Sequence, residues 1–139
     1  MILVPPVYDD VAMFGRLEDL LKPVGFGRLT VTTAEKHDVM IAFSSQMAHI
    51  VSNAYIKSPT ARDHKGFSAG SYKDLTRVAR LNADMWSELC IDNNDNLIRE
   101  LDCFIGDVTR YRDALAANDI KELKTLLEEG SRLKGELDS

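Results

Sequence analysis

Cysteine is scarce in this sequence: Cys90 and Cys103 stand in no metal-type spacing. With no second pair there is no zinc site of the usual four-ligand kind, and no metal is expected. A reduced, cytoplasmic protein fits this usage best. Long apolar runs are also missing. No stretch approaches the ~20 residues a membrane span needs, and the first residues lack a basic region followed by an apolar one, so no membrane partner is expected. Cations are outnumbered, 17 Lys and Arg against 22 Asp and Glu, for a net charge of −5. That balance argues against nucleic acid as a partner unless the cations gather on one face. Repeats and low-complexity tracts are absent. What is present is 139 residues, 45% of them hydrophobic, enough for one domain with a core.

Several catalytic signatures are missing too. The chain contains no G-x-G-x-x-G and no P-loop, hence no visible cradle for a nucleotide phosphate. It has no G-x-S-x-G nucleophile signal, and His37, His49 and His64 form no H-E-x-x-H pair. "DNNDN" (92–96) spaces oxygen ligands as a calcium loop does, but Leu97 stands where glycine is needed and Cys103 where glutamate is needed.

The first third differs from the rest. "ILV" (2–4) reads as a short strand closed by Pro5 and Pro6. Asp9 and Asp10 precede a helix on which Val11, Phe14, Leu17, Leu20 and Leu21 recur at helical spacing, stopped by Pro23 and Gly25. "GRLTVTT" (27–33) is a β-branched strand. Strand, helix and strand in this length form a crossover unit with parallel strands. Parallel strands belong in larger sheets, so residues 1–33 are read as the tail of an α/β domain; a small ribbon on a helical domain is the alternative. From Thr33 the pattern is helical. One helix is expected over 33–57 with Thr32 and Glu35 as a capping box, then a loop over 64–70. Short helices follow over 71–80 and 82–91, the second capped by Asn82, and a long one over 94–116. A final helix is capped by Asn118, with a fraying tail.

Two places concentrate polar chemistry. Ser45, Gln46, His49, Ser52 and Asn53 share one face of an otherwise apolar helix. They read either as an internal hydrogen-bond network or, for His49 beside Gln46 and Asn53, as a group meeting a ligand carboxylate or hydroxyl. Further on, Ser71 and Asp74 form an S-x-x-D box, and Gly70 permits close approach to the first N–H groups of the helix. Lys73, Arg77 and Arg80 then fall on one face, either a solvated cationic stripe or an anion site in which Arg77 forks a carboxylate. Trp86 is the only tryptophan.

"AEKHD" (34–38), "SSQMAHIVSNA" (44–54), "GFSAGSYKDLTRVA" (66–79) and "ADMWSEL" (83–89), in that order and spacing, resemble the C-terminal helical domain of bacterial prephenate dehydrogenases. The family pattern is S/T-Q/H-x-P-H, then G-G-x-F/Y-K/R-D-x-T-R-I/V-A, then M-W. The resemblance implies a mainly α fold: a multi-helix substrate-binding and dimerisation domain over 34–139, preceded by a strand–helix–strand remnant of an α/β NAD-binding domain over 1–33. It implies oxidative decarboxylation of prephenate to 4-hydroxyphenylpyruvate by NAD, on the route to tyrosine. It also implies an intertwined homodimer and tyrosine as a possible inhibitor. Arg77 then corresponds to the arginine that binds a substrate carboxylate, and His49 to a pocket histidine. Gly70 matches a loop glycine that reaches the pocket, in some members from the neighbouring subunit. Trp86 matches the pocket-side tryptophan, and Gln46 occupies the Gln/His position; Ser45 and Lys73 are secondary candidates. Two departures are Ala48 for the usual proline and Ala69 for the first glycine of the usual pair. The Gly-rich NAD loop and the catalytic histidine are expected upstream of Met1, so this chain alone is expected to be inactive. Arogenate dehydrogenase, or a stand-alone dimeric sensor of tyrosine or prephenate, are the alternatives.

Overall fold

The computed structural model describes residues 1–67 and 69–139; Ser68, within the loop expected over 64–70, lies outside the described residues. Two compact units are present, Met1–Leu97 and Ile98–Ser139.

The first unit opens with β1 (Ile2–Leu3), α1 (Val11–Leu21) and β2 (Thr30–Val31). The strands pair in parallel, Ile2 against Thr30 and Leu3 against Val31, as the crossover pattern requires, but each is only two residues long. Asp10 caps α1, its carboxylate accepting from the Met13 N–H at 2.8 Å. Gly25 closes the following turn at φ 94°, a left-handed conformation that glycine adopts without strain. The crossover unit is scarcely covered. No residue of α1 is buried, and Val11 and Leu20 are 79% and 67% exposed.

A helical column follows: α2 (Ala34–Ile41), a π turn (Ala42–Met47) and α3 (Ala48–Tyr55). Its cap is Thr33, whose hydroxyl accepts from the Lys36 N–H at 3.2 Å. The Thr32–Glu35 box expected from the sequence is thus displaced by one residue. Glu35 sits in the first turn, where its own backbone N–H and the Thr33 hydroxyl hold its carboxyl below the ordinary range. The π turn was not anticipated. Ser44 donates to the Met40 carbonyl at 2.6 Å and His49 Nδ1 to the Ser45 carbonyl at 2.9 Å, and such side-chain donors compete with the α-helical ladder.

After a 3-10 turn at Pro59–Asp63 come α4 (Gly70–Thr76), α5 (Ala83–Asp92) and the start of α6 (Asn94–Ala116). Asn82 caps α5 as expected, accepting from the Met85 N–H at 3.1 Å. Helix α4 departs from expectation at both ends. Its N-cap is Ala69, with no side-chain cap, so Ser71 and Asp74 lie inside the helix and form no box. It stops at Thr76 rather than residue 80: the Ser52 hydroxyl takes the Leu75 carbonyl, and the Ala79 N–H, which would bond Leu75 O in a longer helix, turns to Thr76 O at 3.1 Å. The buried side chains described here are small or polar: Ala42, Ala79, Gln46 and Ser52, with Leu97 the one large apolar member.

In the second unit, α6 turns back into α7 (Ile120–Leu137). Asn118 takes the turn at φ 53° and Asp119, not Asn118, caps α7, its carboxylate accepting from the Lys121 and Glu122 N–H groups at 3.0 Å each. Asparagine tolerates the left-handed region, so the two polar residues divide the turn and the cap between them. Tyr111 ties the hairpin by donating to the Leu126 carbonyl at 3.0 Å, and Arg110 faces Asp107, Glu122 and Glu129 at 3.5 to 3.7 Å. The tail, expected to fray, takes helical form. It stays helical to Leu137, with Arg132–Glu136 and Lys134–Asp138 pairs one turn apart.

Cys90, half-buried on α5, has its thiol pushed up by burial, whereas Cys103 on α6 is exposed. A raised pKa leaves less thiolate at neutral pH, and the thiolate is the nucleophile. Iodoacetamide is therefore expected to alkylate Cys103 first, with the gap narrowing as pH rises; equal rates at neutral pH, read by peptide mass spectrometry, would contradict this placement.

Candidate functional site

The polar stripe on the column resolves into one outward-facing group and several inward fixtures. Gln46, 5% exposed, donates its amide to the Leu89 carbonyl at 2.8 Å and accepts from the Asn93 amide at 2.8 Å. The other Asn93 amide hydrogen serves the Asp38 carbonyl at 2.8 Å. Ser52, 1% exposed, donates to the Leu75 carbonyl at 2.7 Å, and Asn53 donates to the Ala79 carbonyl at 2.9 Å. The internal-network reading therefore holds for Ser52 and Asn53. Gln46, which the sequence placed among the ligand contacts, has both ends of its amide engaged inside the fold.

His49 behaves differently. Its ring is half-buried and stacks on the Trp86 indole of α5, centroids 4.1 Å apart and planes inclined by 29°. A carbonyl only accepts, so the bond from Nδ1 to Ser45 O requires the proton on Nδ1. Nε2 of the neutral ring is then a lone-pair acceptor, and it becomes a donor to an anion when the ring is protonated. Ser45 enters through its backbone carbonyl. The fold brings His49 and Trp86 together from sequence positions 37 residues apart, as one aromatic wall with a hydrogen-bonding edge.

The expected cationic face is cut short. Lys73 is exposed in the last turn of α4, Arg77 is the residue just past its end, and Arg80 lies beyond the helix altogether. Arg77 is exposed, and among the described residues it has no hydrogen-bond or ion-pair partner. Gly70 begins the same helix. At 1.5 Å per residue, the two ends of α4 stand about 10 Å apart. Neither backbone angle nor space requires glycine at position 70: its φ is not positive, and an added Cβ meets nothing within 4 Å among the described residues.

An aromatic cluster escaped the sequence reading. Tyr72 stacks on His64 at 4.5 Å and meets Tyr55 at 6.3 Å. These three border a cavity of about 600 Å³ whose lining includes none of His49, Arg77 and Trp86. Tyr72 falls on the F/Y position of the family pattern, whereas Tyr55 ends α3 and His64 follows the turn at Pro59–Asp63, which local sequence does not bring together. No group of three or more His, Cys, Asp or Glu residues able to hold a metal occurs among the described residues.

Residues 33–129 match the family model described as prephenate dehydrogenase, dimerization domain. The chain is 30% identical over 125 residues to the cyclohexadienyl dehydrogenase of Zymomonas mobilis, covering 86% of this chain and 42% of that protein. It is 25% identical over 127 residues to the prephenate dehydrogenase of Bacillus subtilis, covering 88% and 34%. It thus spans less than half the length of either relative. Among solved structures it superposes on prephenate dehydrogenase from Aquifex aeolicus, in complex with hydroxyphenyl propionate and NAD+, with a TM-score of 0.77 at 22% identity, covering 98% of this chain and 49% of that one. The arogenate dehydrogenase of Synechocystis gives a TM-score of 0.73 at 22% identity, covering 96% and 51%.

Because Trp86 is the sole tryptophan, its emission reports on the stack. His49→Ala is expected to shift that emission to the red and to raise its quenching by acrylamide. Emission and quenching indistinguishable from the parent chain would rule out the contact.

Proposed function

Because the chain belongs to the prephenate dehydrogenase family, whose dimerization domain it carries over residues 33–129, we propose that it is the C-terminal part of an NAD-dependent prephenate dehydrogenase acting in the cytoplasm. In this reading residues 34–139 bind substrate and hold the dimer together, and residues 1–33 belong to the NAD-binding domain. The observation that carries the proposal is the His49–Trp86 stack at 4.1 Å between α3 and α5; Arg77, just past the end of α4, is exposed and has no hydrogen-bond or ion-pair partner among the described residues. Substrate carboxylate pairs with the Arg77 guanidinium, a planar fork suited to two parallel hydrogen bonds. The His49–Trp86 wall receives the ring of the substrate, and His49 Nε2 meets one of its polar groups.

Prephenate suits such a wall because its reaction makes an aromatic ring. The hydrogen on the hydroxyl-bearing carbon leaves with its electron pair, the ring carboxylate departs as carbon dioxide, and 4-hydroxyphenylpyruvate remains. NAD supplies the hydride acceptor when bound. This chain has no glycine-rich phosphate loop, so its residues do not form the dinucleotide cradle, and in this reading NAD and the catalytic histidine are held outside it. The exposed edges of the two-residue strands and the uncovered α1 support a place for residues 1–33 in a larger sheet.

A homodimer is supported by apolar surface left open in each unit. Val39, Met40 and Phe43 are 41%, 52% and 54% exposed on the column, and Ile105, Val108 and Leu115 are 58%, 48% and 61% exposed on α6. Such a load of exposed apolar side chains marks an interaction surface. Gly70 and Arg77 stand at opposite ends of α4. Gly70, whose missing side chain nothing in this chain requires, serves the pocket of the partner copy.

Titration calorimetry with prephenate is expected to show Arg77→Ala weakening binding on the order of tenfold or more. Affinity unchanged by the substitution would remove Arg77 from the site. Light scattering at micromolar concentration is expected to return twice the 15.6 kDa of one chain; a mass of one chain would overturn the dimer.

A further inference from the structure

Arg77 sits on a backbone held from both sides. Helix α4 ends at Thr76, and a helix end leaves carbonyls without intrahelical partners. Here one such carbonyl, two residues before Arg77, and the loop carbonyl two residues after it are taken by neighbouring side chains of α3: Ser52 Oγ donates to Leu75 O at 2.7 Å and Asn53 Nδ2 to Ala79 O at 2.9 Å. Ser52 is 1% exposed and Ala79 is 6% exposed. The Arg77 side chain, by contrast, is exposed and makes no hydrogen bond or ion pair that would orient it among the described residues. Its direction is therefore set by its Cα, and its Cα is set by these two bonds.

The same stripe sets the other wall of the site. Gln46, two turns earlier, holds the Leu89 carbonyl of α5, the helix that carries Trp86. His49 lies between the two fixtures and is the stripe residue whose ring faces Trp86.

We propose that Ser52 and Asn53 are positioning residues that aim Arg77 at the substrate carboxylate, acting through the backbone of residues 75–79 and touching no ligand themselves. Capping these carbonyls with buried side chains also fixes where α4 stops, one residue short of Arg77. The proposal rests on the reading of Arg77 as the carboxylate-binding residue.

The test is a double-substitution cycle on the full chain, with prephenate binding measured by calorimetry and folding checked by circular dichroism. Ser52→Ala is expected to weaken binding by roughly threefold to tenfold, the value of one net hydrogen bond. Ser52→Thr, which keeps the hydroxyl, is expected to restore much of that loss. In an Arg77→Ala background Ser52→Ala is expected to add nothing, because it acts through the arginine. A Ser52→Ala loss of the same factor in both backgrounds, or no loss beside an active Arg77, overturns the positioning role. Binding unaffected by Arg77→Ala overturns the underlying reading instead, so the two failures are distinct. A second measurement needs no ligand. Backbone ¹⁵N relaxation is expected to show Ser52→Ala and Asn53→Ala loosening residues 75–79 while residues 70–74 of α4 keep their order. Unchanged order at 75–79 in both variants also refutes the proposal.

Discussion

The hydrogen bonds that leave the central column sideways, from Gln46, Ser52 and Asn53 to the carbonyls of Leu89, Leu75 and Ala79, are the constraint on which the first unit depends. Helices α4 and α5 are seven and ten residues long. Isolated helices of that length are marginal in water, and their stability comes from what they dock against. Apolar burial alone is thin here, since the described core of this unit consists of two alanines, one leucine and two polar side chains. The polar side chains supply direction instead of bulk. Deleting one partner leaves a buried carbonyl unsatisfied, at a cost of about 1–3 kcal/mol, and among the described residues no buried side-chain polar atom lacks a partner.

The π turn belongs to the same device. A six-residue stretch of i→i+5 geometry lies directly before His49 and includes Gln46. Around that stretch side-chain donors take the Met40 and Ser45 carbonyls. The Ser45 carbonyl fixes the His49 tautomer, and the ring then stacks on Trp86. The family's usual proline before this histidine lacks an N–H, whereas Ala48 has one and donates it to Ser45 O within the turn. The local winding, the tautomer and the aromatic wall are thus set within a few residues of one another.

Much of this was legible from residue types. Asn82 and Asp10 cap where their chemistry says they should, and α6 runs over 94–116 as its apolar spacing requires. The parallel pairing of β1 and β2 follows from a strand, helix and strand in 33 residues. The misses share a cause. Thr33 in place of Thr32, Asp119 in place of Asn118, and Ala69 in place of Ser71 are choices between adjacent residues of similar capping ability or between local and distant partners. Local sequence ranks such options within about 1 kcal/mol, and a tertiary contact easily reverses the order. The persistence of α7 to Leu137 is the opposite case, in which charge pairs one turn apart were present in the sequence and underweighted.

The sequence by itself determined the helical class, the crossover at the start, and the set of residues from which a site could be drawn, because capping, periodicity and residue chemistry are local properties. It also carried the ordered motifs by which the family is recognised. Only the tertiary structure decided how that set divides. Gln46, Ser52 and Asn53 turn inward and His49 turns outward, although all four share one stripe, because the carbonyls they meet belong to helices far along the chain. Lys73, Arg77 and Arg80 are one face on a helical wheel, but α4 ends at Thr76, where Leu75 is held from α3, and only Lys73 and Arg77 are left at its end. A helical wheel carries no information about where a helix stops when the stop is imposed by another element.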